Sequence, residues 1–402
     1  MTGNAEYILN ENKVSAHHYR PLPVVLSRGQ GVWLWDIEEN RYCDMMSAYS
    51  AVSHGHCHPR LVRTLSEQSQ QLCITSRAFH AKTYQPFLEK ICQMTGLDKV
   101  LIMNSGAEAV ETALKAARAW GYQYKKIPKN KAKIIVAQNN FHGRTLSIVS
   151  FSSDPLYKEG FGPLTPGFVE IPFGDQAALR KAITPNTCAF LVEPMQGEAG
   201  IHIPPKGWLN ECAKICQENN VLLILDEIQT GLGRTGRLFA FEHENVQPDG
   251  LILGKALGGG LLPVSAFVAK EEVMSVFTPG RHGSTFGGNP LACAVGLEAL
   301  RIIEEDEYAE RSQKLGDVLL KALQKIKSPL IKNCRGKGLW IGVEIDTQKI
   351  SAYDLCVKLM QNGVLTKEAH QTVIRFAPPL VITEEELAWG IERIEQTFAI
   401  RS

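Results

Sequence analysis

The chain has 402 residues, with 43 Lys+Arg against 42 Asp+Glu and a formal net charge of +1. That balance excludes a charge surplus as the means of holding nucleic acid or an anionic membrane surface. Hydrophobic residues make up 44% and charged residues 21%, and the length exceeds one comfortable core. Two or three packed units are therefore expected, rather than a disordered chain, a collagen-like repeat or a small disulfide scaffold.

Met1 to Asn12 carries neither a basic leader with an apolar run nor an Arg-rich amphipathic presequence. Strands are expected at 24–27 and 31–36, in an N-terminal segment (1–52) that lies on the rest. From about Val100 short apolar runs alternate with helical patterns. The strands are expected at 99–103, 133–137, 188–192, 221–225, 250–253 and 264–268, with helices at 108–120 and 207–218 among the connections. In the first of these helices Val110, Ala113, Leu114 and Ala117 keep the spacing of one buried face. Short apolar strands alternating with helices predict an α/β fold, a mostly parallel sheet covered on both faces, in a large domain spanning 53–289. Such sheets bind ligands beyond the carboxyl ends of their strands. After Asn289 come helical patterns at 290–305 and 307–327, a strand at 338–345, a helix at 352–362, a strand at 373–376 and a closing helix at 384–398. They are expected to form a smaller C-terminal α/β domain, 290–402.

The most apolar window, 251–269, is broken by Lys255, three consecutive glycines and Pro263, which argues against a membrane span. The ten cysteines are scattered with no C-x-x-C pair, as free thiols in a reducing compartment would be. A cytoplasmic protein is expected.

Leu222–Leu225 leads into Asp226, which places that carboxylate at the carboxyl end of a buried strand; the next strand delivers Lys255 to the same edge. A buried lysine can shed its proton and form a Schiff base with an aldehyde. A nearby carboxylate could keep a pyridinium nitrogen protonated. By themselves the two could equally be a strand-end ion pair. Asn104-Ser105-Gly106-Ala107-Glu108 follows a strand and opens a helix. Ser105 and Glu108 match a capping box, while Gly106 beside free N–H groups suits a phosphate. A phosphate cradle, a pyridinium carboxylate and a Schiff-base lysine together point to pyridoxal phosphate (PLP).

Six stretches carry a family resemblance: Asn104 to Ala109, Asn140-Phe-His-Gly-Arg-Thr145, Glu193-Pro-Met-Gln-Gly-Glu198, Asp226-Glu-Ile-Gln-Thr-Gly231, Gly254-Lys255-Ala256, and Gly283 to Pro290. In register from about Tyr19 to Ile394, the chain resembles the class III (omega) aminotransferases. Within that class Tyr19 to Pro23, Ser47 to Val52 and Ile374 to Val381 resemble the ornithine-using branch. The resemblance implies a PLP-dependent transferase of fold type I and an obligate homodimer with shared active sites. It implies that Lys255 carries the cofactor and shuttles the proton. Asp226 would meet the pyridine nitrogen, Gln229 the phenolic oxygen and Phe141 the ring face. Gly106 and Ala107 would give N–H groups to the phosphate, Thr285 would reach the phosphate of the neighbouring subunit's cofactor, and Ser105 and Ser284 would be further cofactor-binding residues.

For substrate, the resemblance implies transfer of the δ-amino group of L-ornithine to 2-oxoglutarate, giving glutamate 5-semialdehyde and glutamate by a ping-pong mechanism. Acetylornithine and 4-aminobutyrate are the alternative donors. Arg375 would take the α-carboxylate of glutamate or 2-oxoglutarate, and Glu198 would mask it when ornithine binds. Arg144 would hold the distal carboxylate, while Tyr19 and Tyr49 orient the α-amino acid end of ornithine. A permanent ion pair is the other reading of Glu198 and Arg375. The chain departs from the ornithine branch at Ser53-His54, where relatives carry Asn-Gln, and at His142, a Trp in the eukaryotic enzymes.

Two further motifs read as turns. Gly231-Leu-Gly-Arg-Thr-Gly236 has the G-x-G-x-x-G form without the strand and crossover helix that dinucleotide binding needs. His54, His56 and His58 lack zinc spacing and run into Pro59, so no metal is expected.

Overall fold

The computed structural model describes residues 3–399. The N-terminal strands β1 (Leu26–Gln30), β2 (Trp33–Asp36) and β3 (Arg41–Asp44) form an antiparallel meander. The first two strands begin two residues later than the apolar pattern suggests. The central strands are β4 (Lys99–Met103), β5 (Lys133–Ala137), β6 (Phe168–Ile171), β7 (Thr187–Val192), β8 (Leu222–Asp226), β9 (Gly250–Leu253) and β10 (Ser265–Ala269). They make one seven-stranded sheet in the order β4-β10-β9-β8-β7-β5-β6. Every pairing is parallel except those of β10, which runs against both neighbours. β7, β8, β9 and β10 are buried along their whole length, so both faces are covered, and apolar clusters lie on each side.

The last strands are β11 (Ile331–Gly336), β12 (Ile341–Ile345), β13 (Val364–Leu365), β14 (Lys367–Ala369) and β15 (Val373–Phe376). Four of them form an antiparallel sheet in the order β11-β12-β15-β14. β13 instead adds to the N-terminal meander, parallel to β3, and so ties the two ends of the chain together. β12 starts at Ile341 rather than 338, because Gly338 holds φ +58° where the chain turns from β11. Helix Pro290–Glu305 follows Asn289, whose side chain caps it, and packs on helices Pro59–Ser69 and Tyr84–Thr95. None of the described helices is long and apolar enough to cross a membrane.

Candidate active site

The carboxyl ends of β4 and β8 and the segment after β9 bring the predicted residues to one edge of the sheet. Asp226 ends β8 and is buried. Its Oδ2 accepts a 2.7 Å hydrogen bond from His142 Nδ1, and its Oδ1 accepts the N–H of Ile228 at 3.0 Å. His142 is itself buried, and its Nε2 has no partner among the described residues. Burial lowers the affinity of that imidazole for a proton, yet the bond to Asp226 and the charges of Asp226 and Glu193 outweigh it, so its pKa is raised.

Lys255 follows β9 with φ +47°, a left-handed conformation that lysine adopts only when its surroundings impose it. Burial pushes its ammonium down to about 8, with Glu198 and Asp226 opposing the shift and Arg375 reinforcing it. An amine poised there is partly neutral near physiological pH, the form able to attack an aldehyde or take a proton.

Helix Gly106–Gln123 opens at the end of β4. Ser105 caps it: its Oγ accepts the N–H of Glu108 at 3.2 Å and the Glu108 carboxylate accepts the N–H of Ser105 at 2.7 Å. That box leaves the amides of Gly106 and Ala107 on the cavity wall. The cavity, about 220 Å³, is also lined by Phe141, His142, Glu193, Glu198, Asp226, Gln229 and Lys255. A carboxylate end, a helix N-terminus and a lysine face one enclosed space, as PLP requires.

A second cavity of about 400 Å³ shares Phe141, Glu198 and Lys255 with the first and opens outward past Tyr19, Tyr49 and Arg144. Arg375, on β15 between β12 and β14, is 1% exposed. Its Nη1 donates to Glu198 Oε1 at 2.6 Å, and its Nη2 lies 3.5 Å from Oε2. Although burial opposes ionisation of Glu198, Arg375, Lys255 and a bond from Gln229 hold its pKa down at about 2. Gln229 Nε2 donates to Glu198 Oε1 and to the Tyr49 carbonyl, each at 3.3 Å. A Cβ on Gly197 would overlap the Gln229 amide and the Trp340 ring, so only glycine lets the loop approach so closely.

Tyr49 reaches the cavity on an unusual turn. Ser47, Ala48, Tyr49 and Ser50 all have positive φ, between 44° and 75°. Left-handed backbone costs a non-glycine residue roughly 1–2 kcal/mol, so the surroundings must hold the turn. The Tyr49 ring then lies 4.8 Å from the Arg375 guanidinium. Across the cavity Arg144 lies over Tyr157 at 4.6 Å and near Tyr19 and Phe141 at 5.9 and 5.8 Å.

Ser105, Ser284 and Thr285 line neither cavity. Ser284 Oγ accepts the side-chain N–H of Asn104 at 2.9 Å, and Thr285 is exposed beside the exposed Phe286. Sequence reasoning assigned no role to His142, Glu193 or Tyr157. Glu193 is buried; its carboxylate accepts the N–H of Phe141 at 3.0 Å and of Gly197 at 3.2 Å, joining the two loops that wall the first cavity. Burial pushes its pKa up to about 7. The signal for Glu193 was its place in the motif ending at Glu198; the bond between His142 and Asp226 spans 84 residues and leaves no local pattern.

The histidines after the left-handed turn go to separate partners: His54 Nε2 meets the Ala299 carbonyl at 2.9 Å and His56 Nε2 meets Asp44 at 2.8 Å. Among the described residues no group of histidines, cysteines and acids is arranged to hold a metal. The Gly231–Gly236 stretch is a run of turns rather than a strand-to-helix junction, and it carries a fully buried Arg234.

The family model described as aminotransferase class-III matches residues 14–398. An ornithine aminotransferase of Geobacillus sp. (strain WCH70) is 57% identical over 399 residues, covering 99% of this chain and all of that one. A solved ornithine aminotransferase from Toxoplasma gondii, with partial occupancy of PLP at its active site, superposes with a TM-score of 0.98 at 45% identity, covering 99% of this chain and 94% of that one. An acetylornithine aminotransferase from Elizabethkingia anophelis superposes at 0.90 with 47% identity and 99% of both chains covered. The chain belongs to the class III aminotransferases, a PLP-dependent family of fold type I.

Proposed function

We propose that the chain transfers the δ-amino group of L-ornithine to 2-oxoglutarate. The products are glutamate 5-semialdehyde, which cyclises to pyrroline-5-carboxylate, and glutamate. The observation that carries this reading is Glu198, on the wall shared by the two cavities, paired with the buried Arg375 directly behind it. One site must accept a donor whose reacting carbon bears no carboxylate and an acceptor whose reacting carbon does. A buried arginine with a carboxylate partner at the cavity edge meets both needs, since an unpaired buried cation is costly.

PLP supplies the aldehyde that takes up the amino group and the ring that accepts the electron pair left by the departing proton. Asp226, fixed as an acceptor by His142 and the amide of Ile228, would hold the ring nitrogen, and Gln229 the phenolic oxygen. Phe141 would cover one ring face. The amides of Gly106 and Ala107, at the helix start capped by Ser105, would hold the phosphate. Lys255 Nζ would hold the cofactor and would move the proton at the amino-bearing carbon of the substrate. Tyr19 and Tyr49 orient the α-amino acid end of ornithine, and Arg144 holds the distal carboxylate of 2-oxoglutarate.

The working unit in this reading is a homodimer, with Ser284 and Thr285 of each copy completing the phosphate site of the other. The exposed Thr285 and Phe286 support that arrangement. A cytoplasmic location is supported by ten free cysteines. The similarity to an acetylornithine enzyme favours acetylornithine as the second reading. Steady-state kcat/KM for ornithine, acetylornithine and 4-aminobutyrate, each with 2-oxoglutarate, separates them. Ornithine should lead; a higher value for either rival would replace it as the donor.

A further inference from the structure

Arg234 is completely buried, yet among the described residues no carboxylate pairs with it. Its guanidinium instead bridges three segments. Nη1 donates to the carbonyls of Leu339 and Pro378 at 2.9 and 2.7 Å; Nη2 donates to Ser47 Oγ and Ser53 Oγ at 3.2 and 3.0 Å. Pro378 lies just beyond Arg375, and Ser47 opens the left-handed turn that presents Tyr49. Ser47 Oγ adds its own 2.7 Å bond to the carbonyl of Ala377. A buried cation spent on hydroxyls and carbonyls needs a purpose beyond ion pairing, and the strained turn needs a clamp.

We propose that Arg234 is a positioning residue for donor choice, locking the Tyr49 turn in register with the segment after Arg375. The inference rests on the reading of the site as one that accepts ornithine. Arg375 is held independently, by its place between β12 and β14 and by Glu198. The Tyr49 turn lies outside any sheet and is otherwise held by the N–H of Ser47 on Asp44 at 2.8 Å and the long bond from Gln229 to the Tyr49 carbonyl, so loosening Arg234 displaces Tyr49 more than Arg375. The planar fork can serve four acceptors on two sides, whereas a lysine ammonium has three donors at one point.

The test uses the full-length PLP-loaded enzyme and the rate at which each amine donor bleaches its visible band in a single turnover. Arg234→Lys should lower the second-order rate for ornithine about tenfold and that for glutamate less than about threefold. Ser53→Ala, which removes one acceptor, should shift the same ratio by about threefold. Combined with Tyr49→Ile, Arg234→Lys should add little to the loss with ornithine, as expected of residues acting through one contact. Equal losses with both donors, or a fully additive double variant, would overturn the proposal. If Arg234→Lys does not fold, Ser53→Ala and Ser47→Ala carry the test, and an unchanged donor ratio in both overturns it. Wild-type enzyme that ignores ornithine would sink the functional reading beneath it; a responsive wild type with unmoved variants would sink only the role of Arg234.

Discussion

Glu198 and Arg375 lie on opposite sides of the boundary between a closed core and an open cavity. The arginine is almost wholly buried on its strand, and the carboxylate that neutralises it is one-quarter exposed. In the proposed reading the buried partner stays in place and the more accessible one moves aside when a carboxylate-bearing substrate enters.

Replacing Glu198 by Ala leaves the Arg375 charge without its mask. A donor that brings a carboxylate to that point should gain and ornithine should lose. The ratio of kcat/KM for glutamate over ornithine should rise about tenfold, in line with a charge-assisted hydrogen bond made or lost. An unmoved ratio would mean the pair is a permanent brace.

In the proposed reading Tyr49, on the wall of the outer cavity, meets ornithine's α-amino acid end, which 4-aminobutyrate does not match because it lacks the α-amine. Tyr49→Ile should lower kcat/KM for ornithine about tenfold while 4-aminobutyrate changes little, the pattern of a lost specific contact. A parallel fall for both donors would reduce Tyr49 to packing.

Lys255 should titrate near 8 rather than near 10.5 in the cofactor-free protein. Reconstitution with PLP needs the neutral amine, so its rate should climb through a midpoint near pH 8. The sign for stability follows. The folded chain disfavours the ammonium, so this group's penalty is full below about pH 8 and fades as the pH rises toward 10.5. A reconstitution rate that keeps climbing past pH 10 would contradict the lowered value.

His142 gives Asp226 one of its two hydrogen bonds. His142→Phe should weaken PLP binding about tenfold, as loss of a bond to a charged group does. Equilibrium titration of the cofactor-free variant reads this directly, and wild-type affinity would show that Asp226 holds its position unaided.

Much of the fold was legible because its signals are local. The apolar runs at 99–103, 133–137 and 250–253 match β4, β5 and β9 end to end, and the helical pattern at 290–305 matches a helix that begins on an Asn-Pro cap. β6 escaped because it is four residues at the sheet edge with Glu170 inside it. The reversal of β10 and the swap of β13 into the N-terminal sheet depend on pairing between distant segments, which periodicity does not encode.

The candidate site divides the same way. Asp226, Lys255 and Gly106 were legible because strand ends and helix starts place them. The left-handed turn of Ser47 to Ser50 was not, since none of its residues is glycine or asparagine and tertiary bonds impose the conformation. Arg234 stood in a stretch whose glycines suggested only a turn, and its burial becomes meaningful once Ser47 and Pro378 are seen to share it.

The central claim is tested most directly by the visible absorption of the purified PLP-loaded protein, before and after L-ornithine is added without a keto acid. The account predicts that ornithine bleaches the cofactor band, that 2-oxoglutarate restores it, and that Lys255→Ala protein does not complete the cycle. A cofactor band that ornithine leaves untouched while acetylornithine or 4-aminobutyrate bleaches it would contradict the proposed donor. Failure to bind the cofactor at all would contradict the assignment of the site.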